Sequence, residues 1–255
     1  MKLAFEVLGD PTQPPLIILH GFFASARNWR NVAAKLADQF CVYVLDQRNH
    51  GASFHDPVMD YPAMAADLLL FIEQQGLTSV SLLGHSMGGK VAMWFALNHP
   101  DRVDKLIVAD IAPVSYAHCF NSIIGALQTL PLEQISNRKQ AEEYLAAAIP
   151  ELSYRQFLLQ NLVLVNGKYT WRVDLAVFYR AAPAIIAFPD TSKLAPFIGA
   201  SLFIAGQQSD YVTAEAISDL FPAAKLSVIA GAGHWLHVQQ PDVFITLVKD
   251  FLMHN

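Results

Sequence analysis

The stretch Gly84-His85-Ser86-Met87-Gly88 constrains this chain more than any other. Before it runs Val80-Ser81-Leu82-Leu83, a short apolar stretch of buried-strand type. After it runs Lys90–His99, a segment of helical pattern that Pro100 ends. A serine at such a strand-to-helix turn takes a strained backbone conformation that pushes its hydroxyl out of the sheet, and Gly84 and Gly88 lack the side chains that would collide there. The new helix aims its first free N–H groups, that of Met87 among them, at whatever the serine attacks. The same five letters also occur as an ordinary glycine-rich turn. Strand before and helix after make Ser86 a candidate nucleophile.

Alternating strands and helices continue in both directions from this turn. Leu3–Leu8 alternates weakly and ends at Gly9-Asp10-Pro11, and Leu16–Leu19 is a run of four aliphatic residues that fits a strand covered on both faces. A helix over Asn31–Phe40 leads to a buried strand over Cys41–Leu45, and a helix over Tyr61–Gln75 stops at Gly76. Further strands are expected at 106–109, 201–205 and 226–229, with helices near 214–220 and 241–253. The pattern predicts an α/β fold with a mostly parallel twisted sheet and helices on both faces. Between 114 and 196 the pattern changes to amphipathic helical segments (120–130, 137–148 and 154–164), followed by Asn166–Trp171, with no convincing buried strand. The expected organisation is a core of 1–113 and 197–255 with a helical lid, 114–196, inserted late in the sheet.

Composition narrows the function. With 53% hydrophobic and 15% charged residues, a net charge of −5 and no basic run, 255 residues suit one globule and leave little basis for nucleic-acid binding. Glu6 interrupts any N-terminal signal-peptide apolar region, and no apolar run approaches the ~20 residues that span a bilayer. A cytoplasmic protein without stable membrane insertion is the expectation. Cys41 and Cys119 lack metal or redox spacing and read as buried, reduced thiols.

In a parallel sheet, ligands bind beyond the carboxyl ends of the strands. His20, Asp46, Ser86, Asp110, Asp210 and His234 all follow strand ends and so converge on one rim. A serine hydroxyl needs a base, and His234, in the loop Gly231-Ala232-Gly233-His234-Trp235 after the last strand, fits the order serine, acid, histidine. His237 is the rival; a metal bound by His234 and His237 lacks a third ligand. His20 and His50 read as loop organisers. Two carboxylates compete as the acid that orients the imidazole. Asp110 follows the strand after the Ser86 helix, in an apolar setting where an unpaired carboxylate is costly. Asp210 follows a later strand, but one residue beyond the usual Gly-x-x-Asp spacing, because Gly206 plus three is Ser209. Asp110 is preferred and Asp210 kept as the alternative. The backbone N–H groups of Phe22 and Met87 would form the oxyanion hole. Phe23, His85, Trp171 and Trp235 are the expected substrate-binding residues, although His85 should point away from the serine. No phosphate-cradling glycine motif occurs, and no metal or cofactor is expected.

His20-Gly21-Phe22-Phe23, Asp46-Gln47-Arg48-Asn49-His50-Gly51, Gly84–Lys90 and Gly231–Trp235 together resemble the α/β-hydrolase superfamily. With Asp56-Pro57-Val58-Met59 and Ala109-Asp110-Ile111-Ala112-Pro113-Val114, the chain is similar to the bacterial YbfF-type esterases and the related ABHD11 group. The resemblance spans nearly the whole chain and is weakest across 114–196. It implies a carboxylesterase or acyl-thioesterase, with Asp110 at the acid position, and a G-x-x-S departure at Ser209 that this group shares. The expected reaction is cleavage of small to medium acyl esters or thioesters through an acyl-enzyme. Carbon–carbon hydrolases and lyases on the same triad, and a non-catalytic binding protein on the same scaffold, remain alternatives.

Overall fold

The computed structural model describes residues 2–254. Seven strands build its main sheet: β1 (Phe5–Leu8), β2 (Pro15–Leu19), β3 (Cys41–Leu45), β4 (Val80–His85), β5 (Val103–Ala109), then β8 (Ser201–Gly206) and β9 (Ala224–Ile229). Their order is β1-β3-β2-β4-β5-β8-β9; every neighbouring pair is parallel except β1 against β3. From β2 the chain passes to β3 on one side, then returns to place β4 on the other. The loops leaving β2 and β4 therefore diverge and open a crevice at the carboxyl end of the sheet.

The aliphatic runs explain this sheet. Along β2, Ile17 and Leu19 enter one buried cluster while Leu16 and Ile18 enter the other, and β5 divides Leu106 and Val108 from Ile107 and Ala109 in the same way. Successive side chains point to opposite faces, so a strand covered on both sides must be apolar throughout. One face carries α2 (Tyr61–Gln74) and α3 (Met87–Asn98), which pack on each other; the other carries α1 (Arg30–Leu36) and α10 (Pro241–His254). Helix α2 begins where Asp60 accepts a hydrogen bond from the Ala63 N–H (2.9 Å), with Pro62 in the first turn. Helix α3 ends two residues before Pro100.

The segment between β5 and β8 holds α4 (Asn121–Gln128), α5 (Arg138–Leu145), α6 (Leu152–Leu158), an antiparallel hairpin of β6 (Leu162–Val165) and β7 (Lys168–Trp171), and α7 (Leu175–Ile186). After β8 come α8 (Ala214–Ser218) and, beyond β9, α9 (Leu236–Gln239). The hairpin corrects the expectation of helix up to residue 164; its strands are mostly exposed or half-buried, in keeping with the lack of a buried strand there. Its turn is Asn166-Gly167, both at positive φ (50° and 79°), the pairing a tight hairpin turn requires. Cys119 corrects another expectation: it is exposed, whereas Cys41 is buried. No helix among the described residues is long and apolar enough to cross a membrane.

Candidate active site

The turn after β4 is built around a steric conflict. Ser86 sits at φ 52°, ψ −120°, a conformation that costs of order 1–3 kcal/mol and persists only where its surroundings enforce it. Here the Ser86 N–H donates to the Ala109 carbonyl on β5 (3.1 Å), while its own carbonyl accepts from the Lys90 N–H (3.1 Å). The glycines permit the approach. A Cβ on Gly88 would lie 2.3 Å from the Leu19 carbonyl oxygen, and one on Gly84 would lie 2.3 Å from that of Gly88. In the stretch from Val80 to Met93 every residue is buried except Ser86, which is partly exposed.

Asp110 leaves the end of the neighbouring strand, also at positive φ (52°), and is fully buried. Its carboxylate is satisfied on both oxygens. Oδ1 accepts from the Gly206 N–H (2.9 Å); Oδ2 accepts from the Ser209 hydroxyl (2.5 Å) and from His234 Nδ1 (2.8 Å). A buried carboxylate is tolerable only with such partners. Asp210 is exposed and does not take this contact. Of the two candidate acids, the fold brings Asp110 to His234.

His234 is the member of the pair that reaches solvent, with 31% of its side chain exposed. Its ring lies 4.7 Å from those of Tyr211 and His85, centroid to centroid. With Nδ1 held on Asp110, Nε2 is the ring nitrogen left without a hydrogen bond to the described residues. Among the described residues Ser86 Oγ and His234 Nε2 form no hydrogen bond, as is common in sites of this type before substrate binds.

The loop after β2 faces the elbow. A Cβ on Gly21 would approach Ser86 Cβ to 3.3 Å, so the two turns are in direct contact. Among the described residues, neither the Phe22 N–H nor the Met87 N–H donates to an acceptor within the protein. Two unpaired N–H groups beside a serine at a helix N-terminus can receive a developing oxyanion. The loop is braced from behind. The Gln47 N–H donates to His20 Nε2 (3.1 Å), leaving His20 Nδ1 to donate to the Gly21 carbonyl (2.8 Å). The Phe23 N–H donates to His50 Nε2 (3.2 Å), and His50 Nδ1 donates to the Arg48 carbonyl (2.9 Å). Burial lowers the proton affinity of both rings, so each stays neutral with one donor and one acceptor, which is what these contacts need. The loop after β3 is anchored in turn: Arg48 reaches both oxygens of Asp67 on α2 (2.6 and 2.8 Å).

The other expected residues divide. Phe23 is buried, packed on Phe22 (4.6 Å) and Phe178 (4.9 Å). Trp235 is partly exposed against Phe157 (5.3 Å) and Tyr154 (5.9 Å) of α6. Trp171 is partly buried and pairs across the hairpin with Leu162, next to Asn161, whose Nδ2 donates to the Phe23 carbonyl (2.8 Å). His85 corrects its assignment to the substrate. It is buried below the His234 loop, and its Nε2 donates to the His234 carbonyl (2.8 Å). Burial, with His234 and His237 beside it, holds His85 well below the usual imidazole range. His237 is buried and stacked on Trp29 at 4.2 Å; desolvation pushes its pKa down to about 3. It is part of the packing.

Three further aromatic side chains stand beside these residues. Phe178 of α7 stacks on Phe22 (4.6 Å), Phe120 meets Phe22 edge-on (5.2 Å), and Tyr211 leans on His234. Phe178 is fully buried, whereas Phe120 and Tyr211 are half-buried.

Comparison with known proteins agrees with this geometry. Residues 14–241 match the family model described as the alpha/beta hydrolase fold. The chain is 39% identical over 255 residues to the sn-1-specific diacylglycerol lipase ABHD11 of Xenopus tropicalis, covering 96% of this chain and 79% of that protein. It is 36% identical over 242 residues to the esterase YbfF of Escherichia coli K12, covering 93% and 92%. A solved structure, a marine microorganism esterase, superposes with a TM-score of 0.93 at 42% identity, covering 98% of this chain and 99% of that one. The chain belongs to the α/β-hydrolase family and is an esterase-type hydrolase.

Proposed function

We propose that the protein hydrolyses carboxylic esters or thioesters of small to medium acyl groups through an acyl-enzyme on Ser86. The observation that carries this reading is the 2.8 Å contact between His234 Nδ1 and a fully buried Asp110, held beside a strained serine and two unpaired backbone donors. Asp110 keeps the proton of the His234 ring on Nδ1, which leaves Nε2 to take the proton from Ser86 Oγ as it attacks the carbonyl. The tetrahedral oxyanion is received by the Phe22 and Met87 N–H groups. His234 returns the proton to the departing alcohol or thiol. It then activates a water that releases the acid and restores Ser86.

The segment between β5 and β8 acts as a cap over this chemistry. Half-buried Phe120, edge-on to Phe22 and backed by the fully buried Phe178, gives an apolar wall suited to an acyl chain. The relatives support an ester substrate: one is named a diacylglycerol lipase, another an esterase. A series of p-nitrophenyl esters tests the reading. Each methylene buried adds about 0.8 kcal/mol, roughly fourfold in kcat/KM. The expected profile rises from acetate to butanoate or hexanoate, then falls as the chain outgrows the cleft. A steady decline from acetate through butanoate would contradict the apolar acyl site.

A further inference from the structure

Lys90 is the most unusual buried residue outside the reacting groups. It lies in the first turn of α3, four residues after Ser86, and is 1% exposed. Its ammonium donates to three carbonyls: Val114 (2.8 Å), Ile186 (2.6 Å) and Ala187 (2.9 Å). An ammonium has three donors, so the group is fully used. The three acceptors are not scattered. Val114 stands where the chain leaves the sheet region for the cap, and Ile186-Ala187 where α7 ends and the chain starts back. One side chain therefore grips both strands of the cap's connection.

Its surroundings reinforce the grip. The ammonium lies 4.7 Å from the Tyr116 ring centroid and 5.9 Å from that of Tyr61. The Tyr61 hydroxyl donates to the Ile185 carbonyl, and the Tyr116 N–H makes a long bond to the Ile186 carbonyl (3.4 Å). His118 is the other ionisable side chain of this region that senses the ammonium; burial and the nearby Lys90 charge both lower its proton affinity. Burying a charge is costly, and an apolar side chain of this length would fill the same space. What only the ammonium supplies is a common donor for two separate hinges. The backbone of the same residue holds the Ser86 carbonyl (3.1 Å), so the nucleophile and both hinges meet at one position.

We propose that Lys90 is a positioning residue that pins the cap at the height over Ser86 where its aromatic wall meets the acyl chain, and so sets acyl-length selectivity without taking part in acyl transfer. This rests on the esterase reading above. Without the pin, the Val114 and Ala187 carbonyls lose the ammonium and Ile186 keeps only the long Tyr116 bond, the cap rides away from the elbow, and long acyl chains lose their wall. A short acyl group needs little of that wall.

The test compares wild type, Lys90→Met and Tyr61→Phe on p-nitrophenyl acetate and hexanoate. Tyr61→Phe removes one hinge bond without changing charge, and it carries the comparison if Lys90→Met does not fold. Lys90→Met is expected to lose at least tenfold in kcat/KM on hexanoate, through KM, while changing less than threefold on acetate. Tyr61→Phe should move the same ratio in the same direction by a smaller factor. Variants that keep the wild-type ratio between the two esters overturn the proposal, whatever their stability. If wild type hydrolyses neither ester, the esterase reading fails, and limited proteolysis then tests the pin by itself. Cleavage within residues 114–118 or 187–195 should be several-fold faster in the variants; equal cleavage overturns the pin.

Discussion

Ser86→Ala is expected to lower kcat for p-nitrophenyl butanoate by about a million-fold while leaving KM and the melting temperature close to those of wild type. Loss of a nucleophile in a serine-triad hydrolase has this size, because histidine and acid have no other attacking group to activate. The residual rate comes from the oxyanion donors and binding. Stability should hold for a local reason. Alanine keeps the Cβ that makes φ 52° costly, so the substitution neither relieves nor adds backbone strain, and the bonds fixing the turn are made by backbone atoms. Steady-state kinetics with a thermal melt of the same preparation checks both halves.

Asp110→Asn should reduce kcat by about ten-thousand-fold, since an amide facing Nδ1 favours the tautomer in which Nε2 carries the proton and cannot accept one. The oxygen that meets His234 also receives the Ser209 hydroxyl at 2.5 Å, so an amide nitrogen there would set donor against donor. Asp210→Asn, at an exposed position, should change kcat less than threefold. The two variants measured side by side decide the acid. A large loss at Asp210 with little at Asp110 would transfer the role.

The acid shows where the sequence stops being decisive. Both aspartates follow strand ends, and strand ends are all that hydrophobic patterning locates. Ser209 is the position the usual spacing would give to a carboxylate; in the fold its hydroxyl instead donates to Asp110 across 99 residues. That long-range pairing has no local signal. The elbow is the opposite case, because its strand, glycines and helix are contiguous and each acts on the next. The inner strands of the main sheet are legible for the same reason: burial on both faces forces aliphatic runs, which the half-exposed edge strands β1 and β9 lack. Leu162–Val165 failed that test. Only Leu162 is fully buried there, and the short apolar run joins smoothly to the helical pattern before it, so helix was the natural reading. The Asn166-Gly167 pair was the one cue to the hairpin. His85 misled through its position beside the serine. Alternation along β4 turns it under the sheet rim, where it supports the His234 loop. Lys90 has no patterning cue, since a lysine after a glycine pair looks alike whether pinned or solvated.

Reaction with a fluorophosphonate decides whether Ser86 is a nucleophile activated by His234, because the reagent phosphonylates a serine only where a base and an oxyanion site act on it. One label per chain is expected, on the peptide containing Ser86, with ester hydrolysis lost in proportion to labelling and the Ser86→Ala protein unlabelled. A protein that hydrolyses esters at full rate without taking up the label, or that takes it up on a different serine, would rule out Ser86 as the nucleophile.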